Sequence, residues 1–280
     1  MDYMKKYYIL LFVIMLSTAA IAQKKGKIKG SKTVTVEQKE VEPFENLEVE
    51  DNLQVFLVKG GTQGLEIEAD DNLHEVIKYE VSGNTLRLYT LKDITGHKML
   101  SVRVTYTGSL KTVSVKHEVT LNALADLELE NIAIKNFDYS KSYLNVKSGS
   151  FSLALNDKSK AEINVRSENT ELELSKNADL KALIASTNVR LDMYQKTTAV
   201  LEGDAANFKL RLDNNSTFTG KKFTAKNMEL TAEGYTVCSI MATETLSISA
   251  NGKTEIQLLG TPKIDMKNFA DSAVLYKKLQ

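Results

Sequence analysis

The sequence predicts an all-β fold, a single-stranded parallel β-helix (β-solenoid) with coils of roughly 18–20 residues. Apolar residues alternate with polar ones from Val34 onward, similar segments recur nineteen residues apart in the second half, and the 280 residues include only two prolines. Because proline cannot donate to a strand ladder, its scarcity favours stacked strands. An antiparallel β-sandwich whose strands happen to be evenly spaced is the alternative fold.

The alternation has a period of two, which is typical of strands rather than helices. It is clearest in the segments Leu47-x-Val49, Leu65-x-Ile67, Leu86-x-Leu88, Val102-x-Val104 and Val113-x-Val115. One short segment departs from it, because Asn72 and Glu75 have the spacing of a capping box and predict a helical turn over residues 72–77. Solenoid ends need covers, so we expect this turn to cover one end and residues 273–280 the other.

The repeats are clearest in residues 144–275. Equivalent units are predicted to begin at Leu144, Ile163, Ala182, Phe208, Met228, Leu246 and Ile264, with a weaker copy at Leu127. Each unit has an alternating run, a turn of Gly, Asn or Ser, and a second alternating run. A unit this short cannot bury its own apolar face, whereas stacked copies can, with equivalent residues about 4.8 Å apart. This register predicts that Asn145 lies beside Asn164 and Glu171 beside Arg190.

Composition excludes several classes of protein. The chain has 36 basic and 36 acidic residues, so a general binder of nucleic acid is not expected. The single cysteine, Cys238, cannot form an internal disulfide, and it excludes a cysteine-rich zinc site. In an alternating run, it is expected to be a small buried residue of one coil.

Residues 1–22 have the features of a secretory signal peptide. Lys5 and Lys6 precede an apolar run over residues 9–16, and the small residues around Ala22 predict cleavage between Ala22 and Gln23. The alternative is an uncleaved membrane anchor, but the run is shorter than the roughly 20 residues that span a bilayer. We therefore expect an exported protein, periplasmic, surface-associated or secreted, whose mature chain has no transmembrane anchor.

Residues 23–42 comprise a lysine-rich leader and the first strand. The leader contains the five lysines Lys24, Lys25, Lys27, Lys29 and Lys32. It precedes a body in which acidic residues outnumber basic ones by six. A solvated linker is the expected role, and contact with anionic lipid or glycan is the alternative.

Residues 43–280 resemble a known domain family. The segments that carry the resemblance are Phe44-x-x-Leu47-x-Val49, Val55-x-Leu57-x-x-Gly60, Leu65-Glu-Ile-Glu-Ala-Asp-Asp-Asn-Leu73, Val81-Ser-Gly-Asn-Thr-Leu-x-Leu88, Ser148-Gly-Ser150 and Gly260-Thr-Pro262. They resemble the putative auto-transporter adhesin family with the head GIN domain. The resemblance implies an exported β-helical domain at the cell envelope. Most of the later turns, such as Ser167-Glu-Asn169, depart from the family's Ser-Gly-Ser-Gly form.

No catalytic, cofactor or metal residue is predicted. His74, His97 and His117 lack the spacing of a metal site, and phosphate-loop, dinucleotide and nucleophile-elbow motifs are absent from the sequence. The run Asp70-Asp71-Asn72 is explained by helix capping rather than cation binding.

One candidate surface cluster combines carboxylates with arginine, as β-helical polysaccharide enzymes do on one face. Its members are Glu171, Glu173, Arg190 and Asp192, followed later by Arg211 and Asp213. The alternation puts these side chains on the solvent side, where carboxyl groups keep ordinary pKa values and are poor acids. Five tyrosines could also contact sugars: Tyr89, Tyr106, Tyr143, Tyr194 and Tyr235.

The sequence thus predicts a secreted or periplasmic, envelope-associated β-helical protein that acts by surface contact, adhesin-like and without catalysis. Its partner would be an envelope protein or glycan, with no nucleic acid and no cofactor. The alternative is a carbohydrate-binding or polysaccharide-active β-helix, and a third possibility is a structural or sensing accessory of the envelope. The sequence does not predict the oligomeric state.

Overall fold

The computed structural model describes residues 25–278, which form a β-solenoid of about nine turns. The predicted fold class is therefore confirmed. The predicted signal peptide and its cleavage site at Ala22 and Gln23 lie outside the described residues. Across residues 25–278, the structure contains no helix that is long and apolar enough to span a membrane.

Twenty strands and one 3₁₀ turn make up the described part of the chain. The strands before the regular stack are β1 (Lys27–Lys29), β2 (Val34–Glu40), β3 (Asn46–Val49), β4 (Gln54–Lys59), β5 (Gly64–Asp70), β6 (Ile77–Ser82), β7 (Thr85–Thr90), β8 (Asp93–Thr95), β9 (Leu100–Tyr106) and β10 (Thr112–Val115). The strands of the stack are β11 (Thr120–Asn136), β12 (Lys141–Leu155), β13 (Lys160–Leu174), β14 (Asp179–Met193), β15 (Thr198–Leu212), β16 (Thr217–Ala232), β17 (Val237–Ala250), β18 (Glu255–Leu259), β19 (Lys263–Phe269) and β20 (Val274–Lys277).

Each long strand contributes to two faces of the solenoid. In β12, Ser142, Leu144 and Val146 point inward, and after a bend at residues 148–150 the inward positions continue with Phe151 and Leu153. At the bend, the inward-facing positions change from even to odd residue numbers, and the second run continues on the other face. We call the face formed by the first runs face A and the face formed by the second runs face B. Consecutive coils pair in parallel with offsets such as Lys141 to Lys160, which agrees with the predicted 18–20 residues per coil.

A tight turn closes each coil between face B and face A. Its central residues adopt positive φ, as in Asp157 (52°) and Lys158 (65°), or Asn214 (50°) and Asn215 (68°). The turns stack like the strands, because the backbone N–H of Lys158 donates to the carbonyl of Lys176 in the next coil at 3.0 Å. Asn and Asp tolerate this left-handed conformation, so the chain turns without a glycine in every coil.

The predicted register is right in the first repeats and wrong by half a coil in the later ones. Asn145 lies opposite Asn164, and Glu171 lies opposite Arg190, as expected. The predicted units would place Phe208 in the same column as Ala182. Phe208 instead lies opposite Val189. The reason is that each coil contains two similar alternating runs, so the predicted units after Ala182 begin on face B instead of face A. The weak copy also does not begin at Leu127, which lies opposite Val146.

Antiparallel strands cover the N-terminal end of the stack. On face A, β9 pairs with β4, β5 pairs antiparallel with β9, and β2 pairs antiparallel with β5. On face B, β7 pairs with β3, and β6 pairs antiparallel with β7. The chain crosses this end through the 3₁₀ turn Asp71–Leu73, where Leu73 is fully buried. The segment therefore covers the end as predicted.

The local structure at this turn differs from the prediction. The helical turn is limited to Asp71–Leu73, and the chain is already in β6 by Ile77. Asp70 does not cap it through its side chain. Instead, the buried Asp70 carboxylate accepts hydrogen bonds from the backbone N–H groups of Lys32 (2.9 Å), Lys98 (3.0 Å) and Met99 (3.1 Å). Its role is to tie three distant segments together.

The lysine-rich leader is not a solvated linker over residues 25–32. β1 pairs in parallel with β8, with Ile28 opposite Ile94. Farther along, Gly30 is buried against Asp70, and Asn72 accepts from the backbone N–H of Ser31 at 2.9 Å. Backbone pairing and buried acceptors therefore hold the leader on the body.

Within the part of the chain that the structure describes, no further strand covers the C-terminal end of the stack. β18 continues face A, β19 continues face B by pairing with β17, and β20 pairs with β18. All residues of β19 are exposed. Residues 273–280 were expected to cover this end, but β20 extends the stack by half a coil instead. Leu275, which lies beside the buried Ile256, is only half-buried.

The interior is one continuous apolar core of stacked columns. One column runs through Val146, Val165, Ile184, Gly203 and Phe223. At the gap beside Gly203, the rings of Phe208 and Phe223 pack edge to face with their centroids 5.1 Å apart. Cys238 is buried in the same core as predicted, and burial raises its thiol pKa to about 12.

Candidate functional site

The predicted surface cluster is brought together on face B. Glu171 lies opposite Arg190 and Glu173 opposite Asp192 in adjacent coils, and the four side chains line an open depression of about 210 Å³. The Arg190 Nε donates to Asp192 Oδ2 at 2.8 Å. This hydrogen bond, together with the charges of Asp192 and Glu171, raises the pKa of Arg190. The cluster thus contains one arginine and three carboxylates, and its single hydrogen-bonded ion pair is Arg190–Asp192.

The same pattern continues along face B. Arg211 lies opposite Asp192 in the next coil, and Lys209 pairs with Glu229 at 3.1 Å in the coil after that. Asp213 follows the end of β15 at the tight turn rather than joining the cluster. Face B therefore presents mixed charges in register, each exposed pair contributing about 0–1 kcal/mol.

An amide ladder runs beside these charges at the bend. The side-chain NH₂ of Asn188 donates to Asn169 Oδ1 at 2.9 Å, Asn207 donates to Asn188 Oδ1 at 2.9 Å, and Asn227 donates to Asn207 Oδ1 at 3.3 Å. The hydroxyl of Thr245 continues the ladder by donating to Asn227 at 2.8 Å. Its signal is present in the sequence, since asparagines recur at this spacing, but the predicted asparagine pair, Asn145 and Asn164, belongs to a different column.

Face A carries an open trough of about 400 Å³. It is built from two outward columns that cross four coils. One column is Tyr143, Glu162, Lys181 and Val200, and the other is Asn145, Asn164, Leu183 and Glu202. The trough therefore combines an aromatic ring, two amides, apolar side chains and charges on one rigid surface.

The apolar members of the trough are exposed to solvent. Tyr143 is 40% exposed and Leu183 is 50% exposed, and each lies in the first run of a long strand. Charged neighbours pair with one another, as Lys181 Nζ donates to Glu162 Oε1 at 3.2 Å and Lys222 Nζ donates to Glu202 Oε1 at 3.1 Å. The apolar surface is left available to a ligand.

A β-bulge bounds the trough at each end. In β11, three residues between Ala123 and Leu127 stand opposite the single residue Asn145. In β16, Gly220 and Lys221 stand opposite the single residue Leu201. Bulges interrupt the ladder and push the backbone outward, and they are common next to binding sites. The site was not predicted from the sequence, because one or two extra residues between alternating runs cannot be told apart from the residues of an ordinary bend.

Two larger depressions lie at the N-terminal part of the solenoid. One, of about 600 Å³, has Phe56, Val58 and Tyr106 among its lining residues and the pair Arg103–Glu66 at 3.5 Å on its rim. The other, of about 590 Å³, lies around the ion pair of Lys25 and Asp51. In the second, burial acts to raise the pKa of Asp51, but hydrogen bonds from Lys25 and Thr90 outweigh it and hold the pKa below its usual value.

Two of the three histidines, His74 and His117, lie where they contribute to the local structure of the solenoid. His74 Nε2 lies 2.9 Å from the hydroxyl of Thr35, and His117 occupies a tight turn with φ of 60°. Burial keeps the His74 side chain only 6% exposed. Within residues 25–278, no group of three or more His, Cys, Asp or Glu side chains is arranged to hold a metal ion.

The five tyrosines proposed for sugar contact occupy three kinds of position. Tyr106 is buried in the core and is not available as a platform. Tyr89, Tyr194 and Tyr235 each lie under a cation, with Arg87, Arg211 and Lys253 at 4.5, 5.7 and 5.3 Å from the respective ring centroids. Tyr143 is the tyrosine of this set that lies in the trough.

Solved structures with the same fold come from species of Parabacteroides. A putative adhesin from Parabacteroides merdae has a TM-score of 0.60 and 14% identity, covering 90% of this chain and 99% of that chain. A putative lipid binding protein from Parabacteroides distasonis has a TM-score of 0.64 and 15% identity over 90% and 99% of the two chains. A putative adhesin from the same species has a TM-score of 0.60 and 14% identity over 90% and 100%. At these identities the likeness shows the fold alone.

Comparison with curated protein sequences gave no match. The family described as putative auto-transporter adhesin, head GIN domain, matches residues 43–262. These residues include the covered N-terminal end, the trough and most of the stack. The chain therefore belongs to the putative auto-transporter adhesin, head GIN domain family.

Proposed function

We propose that the mature chain is an exported, envelope-associated protein that acts by adhesin-like surface contact, and that the trough on face A is its contact site. The observation that carries this proposal is the placement of exposed Tyr143 and Leu183 between two β-bulges on an otherwise regular face. Family membership supports an adhesin-like role. The apolar run and small residues of the N-terminal 22 residues support export.

The rigidity of the stack suits recognition of an extended partner. Equivalent side chains on successive coils stand about 4.8 Å apart because the backbone ladder fixes them. A partner that lies along the solenoid axis would meet Tyr143, Glu162, Lys181 and Val200 in turn. Little side-chain ordering is needed on binding, and preorganisation of this kind favours affinity.

The contact is proposed to be non-catalytic. Acid catalysis by a carboxyl group usually needs a pKa raised toward neutrality. In the candidate cluster, the side chain of Arg190 hydrogen-bonds to Asp192 and lies beside Glu171, so the arginine is already engaged by the cluster's own carboxylates. An open surface patch of this kind is suited to binding and poorly suited to proton transfer.

Carbohydrate binding is the second candidate. The observation that favours it is that the Tyr143 ring and the side-chain amides of Asn145 and Asn164 line the same trough. An aromatic ring can pack on the apolar face of a sugar, while amides and carboxylates hydrogen-bond to its hydroxyl groups. An envelope polysaccharide would then be the partner that the trough contacts.

The test uses the mature chain, residues 23–280, immobilised on beads. Two probes are applied separately: intact cells of the producing organism and polysaccharide purified from their envelope. We expect the wild type to retain cells and the variants Tyr143→Ala and Leu183→Ser to retain about tenfold fewer, since each removes exposed apolar contact area. Tyr235→Ala is the matched control because Tyr235 is 60% exposed but lies outside the trough.

The two probes separate the candidate functions. Retention of both cells and polysaccharide supports carbohydrate recognition, whereas retention of cells alone supports contact with an envelope protein. Failure to retain either probe, or equal loss in the Tyr235→Ala control, would reject the trough as a contact site. Release of reducing ends from the polysaccharide would reject the non-catalytic assignment.

A further inference from the structure

The depression of about 600 Å³ and the trough are connected by one row of outward side chains on face A. The row crosses β9, β4, β11, β12, β13 and β14, and its members in order are Arg103, Phe56, Asn122, Tyr143, Glu162 and Lys181. The first three line the depression, and the last three line the trough. The two hollows therefore form one groove along the solenoid axis, which we call the long groove.

The bulge in β11 leaves this row continuous. Asn122 precedes the bulge, which lies between Ala123 and Leu127, and it pairs in register with Phe56 on one side and with Tyr143 on the other. The bulge therefore interrupts only the neighbouring column, which contains Asn145. A ligand that lies along the row passes beside the displaced backbone rather than across it.

Two aromatic rings lie in this row with one residue between them. Phe56 is half-buried, Tyr143 is 40% exposed, and Asn122 between them is only 8% exposed. The Asn122 side-chain NH₂ donates to the carbonyl of Val55 at 3.1 Å, which fixes it as the floor between the rings. Since the two aromatic residues are two strands apart, their backbones are separated by about 9.6 Å.

This spacing favours one class of extended ligand. A peptide in a β-strand presents the same face at every second residue, about every 6.8 Å, and does not match it. In a chain of β-1,4-linked sugars, each sugar is turned over relative to the one before. The same face therefore recurs at every second sugar, at a distance close to that between the two rings, and its apolar side can pack on an aromatic ring.

Polar groups in the depression lack partners in the protein. Ser101 is only 8% exposed and lines the depression, but its hydroxyl forms no hydrogen bond within residues 25–278. Glu68 and Asp126 also line the depression, and neither carboxylate has an ion pair or a hydrogen bond in the described part of the chain. A buried hydroxyl without a partner is unfavourable, so a ligand that bonds to it gains free energy.

These groups favour a sugar over the peptide that comes closest in geometry. A polyproline helix repeats its face about every 9.3 Å, so its spacing also matches the rings. Its prolines have no N–H group, however, and cannot donate to Ser101, Glu68 or Asp126. Sugar hydroxyls both donate and accept, as the serine hydroxyl does. The depression therefore fits a ligand rich in hydroxyl groups.

The charges of the long groove disfavour a polyanionic glycan. Each of its basic residues already pairs with an acid: Arg103 with Glu66 at 3.5 Å, Lys181 with Glu162 at 3.2 Å, and Lys59 with Glu128 at 3.2 Å. Glu68 and Asp126 remain unpaired, so the depression has an excess of negative charge. Like charges brought together on binding are unfavourable, and an uncharged glycan avoids this cost.

We propose that the long groove binds an uncharged, β-1,4-linked polysaccharide, with alternate sugars packed on Phe56 and Tyr143 and sugar hydroxyls bonded to Ser101, Glu68 and Asp126. The inference rests on the proposed function, because the trough is the contact site named there, and it extends that site into the depression. Two sugars cover one ring, whereas four cover both. Binding should therefore depend on the length of the glycan.

The experiment measures dissociation constants for the mature chain, residues 23–280, by calorimetry. The probes are fragments of the purified envelope polysaccharide, separated into pools of two, four and six sugars, and a peptide of ten prolines. We expect the four-sugar pool to bind about tenfold more tightly than the two-sugar pool, because it covers both rings. The proline peptide should not bind, and NMR spectra of the bound fragments should show β linkages.

Three variants test the part of the groove that lies in the depression. Phe56→Leu removes the ring but keeps an apolar side chain at a half-buried position, so it should weaken the four-sugar pool about tenfold in a folded protein. Ser101→Ala should weaken it about threefold without changing Tm, because the hydroxyl has no partner in the protein. Tyr79→Ala is the matched control, since Tyr79 is 37% exposed but lies outside the long groove. Circular dichroism checks that each variant is folded.

The outcomes separate this inference from the proposed function. Equal binding of the two-sugar and four-sugar pools would overturn the extension into the depression, as would a Phe56→Leu variant that binds normally while Tyr143→Ala does not. Retention of cells without binding of any sugar pool would overturn the glycan assignment and leave the proposed function standing. Tight binding of the proline peptide, or of α-linked fragments, would also overturn it. A chain that retains neither cells nor fragments would reject the proposed function together with this inference.

Discussion

The Lys25 ammonium lies 2.7 Å from both carboxylate oxygens of Asp51 and 2.8 Å from the carbonyl oxygen of Thr90. Asp51 occupies a tight turn with φ of 75°, and its side chain is only 15% exposed. The backbone N–H and the hydroxyl of Thr90 donate to the same carboxylate at 2.8 and 3.0 Å. The leader is thus anchored by a buried acceptor in the body.

Lys25→Ala should lower the free energy of unfolding by about 1–2 kcal/mol, because a charge-assisted hydrogen bond to a mostly buried carboxylate is lost. Denaturant unfolding of the mature chain measures the change. Lys27→Ala is the control, since Lys27 is exposed in the same leader. Equal losses in the two variants would contradict a specific role for Lys25.

The same ion pair predicts a pH dependence. The pKa of Asp51 lies below its ordinary value near 3.8 in the folded protein, so the carboxylate stabilises the fold above that pH. The stabilisation is lost as the pH falls below 3.8 through the folded pKa. The difference in stability between the wild type and Lys25→Ala should therefore be constant near neutral pH and should shrink in acid. A difference that grows in acid would refute this assignment.

Gly203 should be intolerant of any side chain. Its φ is +107°, and a Cβ atom there would lie 2.1 Å from the carbonyl oxygen of Ile184 in the adjacent coil. Gly203→Ala should cost about 2–4 kcal/mol through backbone strain and overpacking. Gly61→Ala is the matched control, because no atom lies within 4 Å of its Cβ position. A neutral Gly203→Ala would show that the coils can separate locally.

Much of the stack could be predicted from sequence because apolar alternation alone determines which side chains face inward. The pairing of Glu171 with Arg190 followed directly from the repeat length. The phase of the later units could not be fixed, because the runs beginning at Ala182 and at Val189 are equally apolar and differ only in their face. A repeat unit that is assigned half a coil too late still shows the same alternation of apolar and polar residues.

The site residues depend on features that alternation does not encode. The trough arises where extra residues in β11 and β16 push the backbone out, and a sequence shows only a slightly longer spacing there. The docking of Lys25 depends on Asp51 and Thr90, which are far from it in sequence. The lysine-rich leader is polar and has no periodic pattern, so its sequence does not indicate which residues of the body it contacts.

Asn188 is the centre of the amide ladder and should be its most sensitive position. It donates to Asn169 and accepts from Asn207, so Asn188→Ala removes two hydrogen bonds and should cost about 1–2 kcal/mol. Thr187→Ala, at the exposed neighbouring position, should be nearly neutral. Thermal unfolding of both variants provides the comparison. If the two losses were similar, the ladder would contribute nothing beyond ordinary surface contacts.

Cys238 should be unreactive until the solenoid unfolds. It is fully buried in the core, and burial raises the pKa of its thiol from an ordinary value of 9.0 to about 12. Only the thiolate attacks a disulfide reagent, so labelling of the native protein at pH 8 should be negligible and should become complete in denaturant. A Tyr235→Cys variant, with its thiol at an exposed turn, should react at once.

The raised pKa of Cys238 also has a consequence for stability. The folded state favours the protonated thiol, so this contribution is fully present below pH 9.0 and is lost as the pH rises toward 12. Cys238→Ala removes the titrating group, and its stability should fall less steeply than that of the wild type between these values. The two unfolding curves, measured against pH in the same denaturant, test this directly. Parallel curves, or rapid labelling of the native wild type, would mean that the coil around Cys238 opens without global unfolding.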